Sequence, residues 1–292
     1  MSPFTFNPND LQRLNRLMFT ARGSAGDPAG NKRSRHRGEG IDFLDFRAYT
    51  PGDDVRKVDW NLYGRLQQLF IRLNESPRQL SVTLLIDTSR SMMFGDPITK
   101  LEQAQRIACA LGFVAMRGAD RVFAYSFADR ISTGVGPLTG ARGLAALVKF
   151  LQNINPGGQS NLRDAMLALR AAGRLKGTLV IFSDFLNIEN QQRAMSSMEP
   201  VGTLIAVQVL DEIDRGKGLS GNLRLRDSES GKMVDVKIDQ RTLDKYRNEF
   251  DGERRLFESR LTGPHRHYLA AFTHDHYLDL VCQTLRTKAV VR

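Results

Sequence analysis

The run Val82-Thr83-Leu84-Leu85-Ile86, closed by Asp87, constrains this 292-residue chain more than any other feature. Uninterrupted aliphatic and β-branched residues over that length suit a strand buried on both faces, as in a parallel sheet with helices on each side. A second such run, Leu179-Val180-Ile181-Phe182, ends at Ser183-Asp184. Between and beyond them strand patterns alternate with helical spacings, which predicts an α/β fold with a doubly wound, mostly parallel sheet. Sheets of this kind gather their ligand sites at the carboxyl ends of the strands. At that end of the first run stand Asp87, Ser89 and Ser91, one carboxylate and two hydroxyls at alternate positions. Oxygen-only donors match a hard divalent cation, magnesium before zinc. A polar loop that merely caps the next helix is the competing reading.

Two distant segments add to the first. Gly157-Gly158-Gln159-Ser160-Asn161-Leu162 sets a further hydroxyl in a glycine-rich loop, just before the apolar-periodic Leu162, Ala165, Met166 and Leu169. Asp184 adds a carboxylate after the second buried run. One sheet edge would then carry Asp87, Ser89, Ser91, Ser160 and Asp184.

In this order and context the five residues resemble the metal-ion-dependent adhesion site of von Willebrand factor A domains, Asp-x-Ser-x-Ser, then Thr in a Gly-rich loop, then Asp after a strand. Ser160 takes the threonine position, and Phe185 follows the last aspartate where many members have glycine. The resemblance implies Mg²⁺ or Mn²⁺ with Ser89, Ser91 and Ser160 as direct ligands and Asp87 and Asp184 acting through water. The segment before the first run narrows the family. Gly38-Glu39-Gly40-Ile41-Asp42-Phe43-Leu44-Asp45-Phe46-Arg47-Ala48-Tyr49 continues through Thr50-Pro51-Gly52-Asp53-Asp54 to Val58-Asp59-Trp60 and ends near Arg65. This block is similar to the signature of the domain of unknown function 58 family, in which it precedes an A-type domain; Gly64 replaces a common alanine. That resemblance covers roughly residues 30 to 290. It implies association with MoxR-type AAA+ ATPases, in systems that remodel or mature other proteins.

Composition narrows the classes further. The chain is 41% hydrophobic and 25% charged, ordinary for a globular protein able to bury a sizeable core. No stretch approaches the ~18 to 20 apolar residues of a membrane helix, and Met1-Ser2-Pro3-Phe4 lacks the features of a signal peptide. Cys109 and Cys282 are the two cysteines and form no clamp or disulfide framework, so a cytoplasmic location is expected. The net charge of +10 raises nucleic acid as a partner. The one concentrated basic run, Lys32-Arg33-Ser34-Arg35-His36-Arg37, follows a Gly/Ala/Pro/Asp stretch and lacks interleaved aromatics, so a solvated arm is the expectation.

Three segments follow: an N-terminal helix and basic arm over 1–37, the signature block over 38–79, and the α/β domain over 80–292. Helical spacing of Leu11, Leu14, Leu17 and Met18 predicts a helix within residues 4 to 22. Thr99 with Glu102 marks a helix start. A strand over 122–127 is followed by a shorter one over 131–135, and Met195 and Met198 mark a short helix ended by Pro200. Period-two alternation in Leu223–Arg226 and Met233–Ile238 predicts a hairpin inserted at about 214–239. Leu278, Val281, Cys282 and Leu285 predict a closing helix.

The function expected from these features is non-enzymatic: a metal-dependent adaptor whose cation takes an acidic residue of a MoxR-type ATPase or its client. A phosphohydrolase of the aspartyl-phosphate type also begins with Asp after a buried strand, but needs an acid two residues on, where Ser89 stands. Walker A, HExxH and Cys/His clusters are absent, and His265, His267, His274 and His276 flank a strand without ligand spacing. Binding of nucleic acid through the basic arm is the third class. In the signature block Asp42, Asp45, Asp53, Asp54 and Asp59 face Arg47, Arg56, Lys57 and Arg65, either as a structural network or as a docking surface.

Overall fold

The computed structural model describes residues 6–19, 37–38, 42–75, 79–175, 177–186, 202–228, 231–263 and 265–284. Two compact units emerge, Gly26–Gln79 and Met1–Ala25 with Leu80–Arg292.

The smaller unit holds β1 (Arg37–Gly38), β2 (Asp42–Ala48) and β3 (Phe70–Glu75), antiparallel in the order β1-β3-β2. A seven-residue helix, Trp60–Leu66, starts on Asp59, whose carboxylate accepts the Leu62 N–H at 3.0 Å. Arg47 pairs with Asp53 at 2.7 Å, and Thr50 donates from its amide and its hydroxyl to the same carboxylate, at 2.9 and 2.7 Å. Those contacts hold Asp53 well below the usual carboxylate range, the Arg47 hydrogen bond most of all. These bonds close the Thr50-Pro51-Gly52-Asp53 turn from inside the block. The side chains of Asp42, Asp45 and Lys57, and the basic run before Arg37, lie outside the described residues.

The larger unit is mixed α/β. Its strands are β4 (Ser81–Asp87), β5 (Arg121–Phe127), β6 (Val135–Leu138), β7 (Thr178–Ser183), β8 (Thr203–Leu210), β9 (Gly221–Arg226), β10 (Met233–Ile238) and β11 (Arg266–Phe272). Among the described residues a six-stranded sheet runs β11-β8-β7-β4-β5-β6, parallel except for β6. The chain builds outward from β4 to β5 and β6, then returns to lay β7 on the other side of β4. The strand order therefore reverses between β4 and β7, the place where sheets of this kind open a crevice.

Alternation along the buried strands feeds two cores. Leu84, Ile86, Val180, Phe182 and Val207 face one side and pack with Ile107, Leu111 and Leu147. Leu85, Leu179, Ile181 and Ala206 face the other and pack with Met166, Leu169 and Phe257. The covering helices on the first side include Lys100–Arg117 and Gly140–Gln152; those on the second are Leu162–Ala171 and Gln240–Arg260. Helices on both faces are what the unbroken apolar runs require. Among the described residues the hairpin of β9 and β10 forms a two-stranded sheet of its own, with Arg224 and Asp235 forked across it at 2.6 and 3.1 Å.

Several expectations need correction. The N-terminal helix spans only Pro8–Leu14; Leu17 and Phe19 are buried from chain beyond the helix, while Met18 is 41% exposed. The edge strand is Val135–Leu138 rather than 131–135, with Ile131 making only an isolated bridge to Phe127. It contains Pro137, which an edge strand tolerates because one side of its backbone needs no partner. The closing segment is a single turn, Tyr277–Asp279, followed by wider winding over Leu280–Thr284. Leu285 and the expected helix around Met195 and Met198 lie outside the described residues. No helix among the described residues is long and apolar enough to cross a membrane.

Candidate functional site

Asp87 ends the central strand β4, fully buried. The chain then turns at once, because Thr88 is pinned to the end of β5: its N–H and Oγ1–H both donate to the Phe127 carbonyl, at 2.8 and 3.0 Å. The glycine-rich loop is stitched alongside. Gly157 N–H donates to the Thr88 carbonyl at 2.7 Å, and Arg90 N–H to the Gly158 carbonyl at 3.2 Å. Gly158 has φ +82°, and a Cβ there would lie 2.3 Å from Asp129 Oδ2, so this position of the loop strongly favours glycine.

This arrangement brings four of the five expected residues into direct contact. Ser89 N–H donates to Asp87 Oδ1 at 2.9 Å, and the Ser89 and Ser91 hydroxyls lie 3.1 Å apart. Ser160 Oγ donates to Asp87 Oδ2 at 2.6 Å. Ser89 precedes a short 3₁₀ turn, Arg90–Met93, but its side chain makes no capping bond to it. The next helix is capped separately, by Thr99 accepting the Glu102 N–H at 3.1 Å. The capping explanation for these serines therefore does not hold; their buried hydroxyls face one another, and Ser89 reaches the carboxylate through its amide.

Asp184 is buried just past β7, and its carboxylate is held elsewhere. Lys100 Nζ donates to Asp184 Oδ2 at 2.9 Å and to Asp214 Oδ1 at 3.2 Å, from a side chain only 1% exposed. Burial pushes the Lys100 pKa down, but the two carboxylates outweigh it and hold the ammonium above its ordinary range. Burial raises the Asp87 pKa, and the nearby charge of Asp184 raises it further; the Ser160 and Ser183 hydroxyls and the Ser89 amide oppose the shift.

Sequence reading missed three supporting groups. Ser183, the last residue of β7, donates to Asp87 Oδ2 at 2.7 Å and accepts the Phe185 N–H at 3.2 Å. Gln208 on β8 donates to the Asp184 carbonyl at 2.8 Å and accepts from Tyr268 OH at 2.6 Å, a line of bonds from β7 across to β11. Lys100 is the third, and its only sequence signal was a cation in the first turn of a helix, where the dipole disfavours it. Phe185, at the position where glycine is common, keeps a left-handed φ of 50°. Its ring is fully buried 4.9 Å from that of Phe257, so packing compensates the backbone cost.

Among the described residues no three His, Cys, Asp or Glu side chains form a metal-holding group. The donors assembled here are hydroxyls with the Asp87 carboxylate, and Asp184 stands nearby on Lys100, a hard and mostly neutral set. Such a set suits magnesium or manganese and gives zinc no nitrogen or sulfur.

A family profile described as "Protein of unknown function DUF58" matches residues 45–256. Uncharacterized protein Rv1480 of Mycobacterium tuberculosis is 31% identical over 206 residues, 69% of this chain and 65% of that protein. Uncharacterized protein Mb1516 of Mycobacterium bovis gives the same figures. The chain thus spans 65% of the length of these mycobacterial relatives. Among solved structures, an aerotolerance-related membrane protein from Bacteroides fragilis, with multiple mutations to serines, aligns with a TM-score of 0.40 and 16% identity. That alignment covers 72% of this chain and 98% of the other. Conserved hypothetical protein BatB from Bacteroides thetaiotaomicron gives a TM-score of 0.40, 15% identity and the same coverages. By the match over residues 45–256, the chain belongs to the DUF58 family of proteins of unknown function.

Proposed function

We propose that this protein is a metal-dependent protein-binding adaptor without turnover of its own, built on a von Willebrand factor A-like domain. The observation that carries the reading is the buried Ser89–Ser91 hydroxyl pair beside Asp87, which caps no helix and lies at the strand-order reversal. Ser89, Ser91 and Ser160 would hold Mg²⁺ or Mn²⁺, with Asp87 and Asp184 balancing its charge. When bound, the cation supplies Lewis-acid attraction for a carboxylate of a partner. The protein's own residues do the rest: Ser183 and the Ser89 amide fix both oxygens of Asp87, and the loop bonds to Thr88 and Arg90 fix the position of Ser160.

Exposed apolar side chains flank these loops. Met93 is 50% exposed, Phe94 49%, Leu186 42% and Ile213 46%, apolar side chains available to a partner at these loops. The family resemblance supports the partner's identity, a MoxR-type AAA+ ATPase or its client, presenting an acidic residue. The reading is tested by pull-down of such an ATPase with and without EDTA. Recovery should be lost on chelation and in the Ser89→Ala/Ser91→Ala variant. Recovery that survives both, yet disappears when residues 1–37 are removed, would assign docking to the basic arm instead.

A further inference from the structure

The inserted hairpin has no part in the metal reading, yet both of its ends are held. β10 runs directly into the helix Gln240–Arg260, where Asp239 caps the Thr242 N–H at 2.8 Å. That helix returns to the turn ahead of the hairpin, and Tyr246 OH donates to the Asp214 carbonyl at 2.8 Å. Pairing of β9 with β10 then sorts the side chains onto two faces. On one face Leu223 opposes Val236 and Leu225 opposes Val234, and Ile238 continues the row. On the other Arg224 opposes Asp235 and Asn222 opposes Lys237. The apolar face is buried only at its base: Ile238 is 9% exposed, whereas Leu225 is 39% and Val234 58% exposed toward the tip. Among the described residues no strand pairs with the outer edge of β10. An open edge beside a half-exposed apolar face invites a further strand.

Charge identifies that strand. A second β10 laid antiparallel by a two-fold axis must centre on one residue if both apolar faces are to share a side. Centred on Asp235 or on Lys237, it sets that charged side chain against its own copy. Centred on Val236, it sets Asp235 against Lys237 of the second copy and Lys237 against Asp235 of the second copy, while Val234 meets Ile238. Asp235, already forked to Arg224, then lies between two cations in one row across the strands. Each exposed Val234 comes to lie beside an Ile238 that its own chain already buries. β9 offers no such match: centred on Arg224 or Leu225 it opposes arginine to arginine, and centred on Leu223 it pairs no opposite charges. We propose that this chain forms a two-fold homodimer through β10, centred on Val236, joining two hairpins into one four-stranded antiparallel sheet. The proposal is independent of the metal reading.

The test is sedimentation equilibrium of the full chain from low to high micromolar concentration. Wild type should pass from the mass of one chain to that of two. Lys237→Asp sets like charges across the axis twice, and so does Arg224→Glu/Asp235→Lys, which keeps an ion pair within its own hairpin. Each should weaken the dimer by about tenfold or more, and an equimolar mixture of the two should associate like wild type, because opposite charges meet again. All three positions are exposed, and an unchanged Tm checks that the fold is intact. Register is read separately in a Cys282→Ser background treated with diamide. Val236→Cys should form an intermolecular disulfide, since opposed Cβ atoms lie about 5 Å apart. Val234→Cys is more exposed but lies about 13 Å from its copy, and should not link. A monomer at every concentration overturns the proposal. So does a dimer indifferent to both charge variants, a mixture no tighter than its components, or Val234→Cys linking as readily as Val236→Cys.

Discussion

Ser183→Ala probes the buried polar network at a residue outside the expected five. Its hydroxyl is fully buried, donates to Asp87 Oδ2 at 2.7 Å and accepts the Phe185 N–H at 3.2 Å. Losing a hydrogen bond to a buried carboxylate costs about 1.5–3 kcal/mol, and the longer amide contact adds about 0.5. Water cannot replace the missing group in a site this enclosed, and removing one oxygen leaves a cavity too small to hold it. The total is about 2–3.5 kcal/mol. For a domain of this size that corresponds to a fall in Tm of about 5–10 °C. Chemical denaturation at pH 8 without metal would measure the energy, with unchanged m-value as the check that only stability moved. A loss below about 0.5 kcal/mol would falsify the Asp87–Ser183 bond and with it the proposed anchoring of Asp87.

Two further perturbations address the loop and the far end of the sheet. Gly158→Ala forces a Cβ to within 2.3 Å of Asp129 Oδ2 at φ +82°, so it should cost about 1–3 kcal/mol and shift Ser160 away from Asp87; a fully stable variant with an unaltered cation response would contradict that geometry. Asp120, 5% exposed, has its pKa raised by burial to about 6 from 3.8, while its carboxylate accepts the Leu80 N–H at 2.9 Å. The folded state therefore holds a proton that the unfolded state releases, so stability declines as pH rises from about 4 to 6, and the penalty is complete above that. Asp120→Asn keeps an acceptor for Leu80 and should gain about 1 kcal/mol at pH 7.5, after allowance for partial solvation, and nothing at pH 4. A gain of equal size at both pH values would show that the carboxylate's charge is not the cause.

Much of the fold was legible because burial on two faces leaves an unmistakable trace. Val82–Ile86 and Leu179–Phe182 can be apolar throughout only if helices cover both sides, and they are covered so. The hairpin over 221–238 was legible for the opposite reason, since one polar face imposes period two. Asp87, Ser89, Ser91 and Ser160 were readable from local context, because strand ends and glycine turns dictate where a short polar side chain lies.

What stayed hidden depends on distant partners. Lys100 looks like a solvated lysine at a helix start until Asp184 and Asp214 arrive from segments 84 and 114 residues away. Ser183 looked like an ordinary last strand residue, and only parallel pairing of β4 with β7 sets it against Asp87. Leu17 mimics helical spacing, yet it is buried from chain that has already left the helix at Leu14. Periodicity records which residues are buried, not which element buries them.

The central claim is that Asp87 and the serines around it bind a divalent cation. Thermal unfolding of the full chain across a Mg²⁺ and Mn²⁺ titration tests it most directly, beside Asp87→Ala. A cation bound only by the folded state adds about 2.7 kcal/mol at a hundred times its Kd. Wild type should therefore gain about 5–10 °C, rising with free metal and reversed by EDTA, while Asp87→Ala shows no metal-dependent gain. The same gain in both proteins, or none in wild type at millimolar metal, would contradict the account.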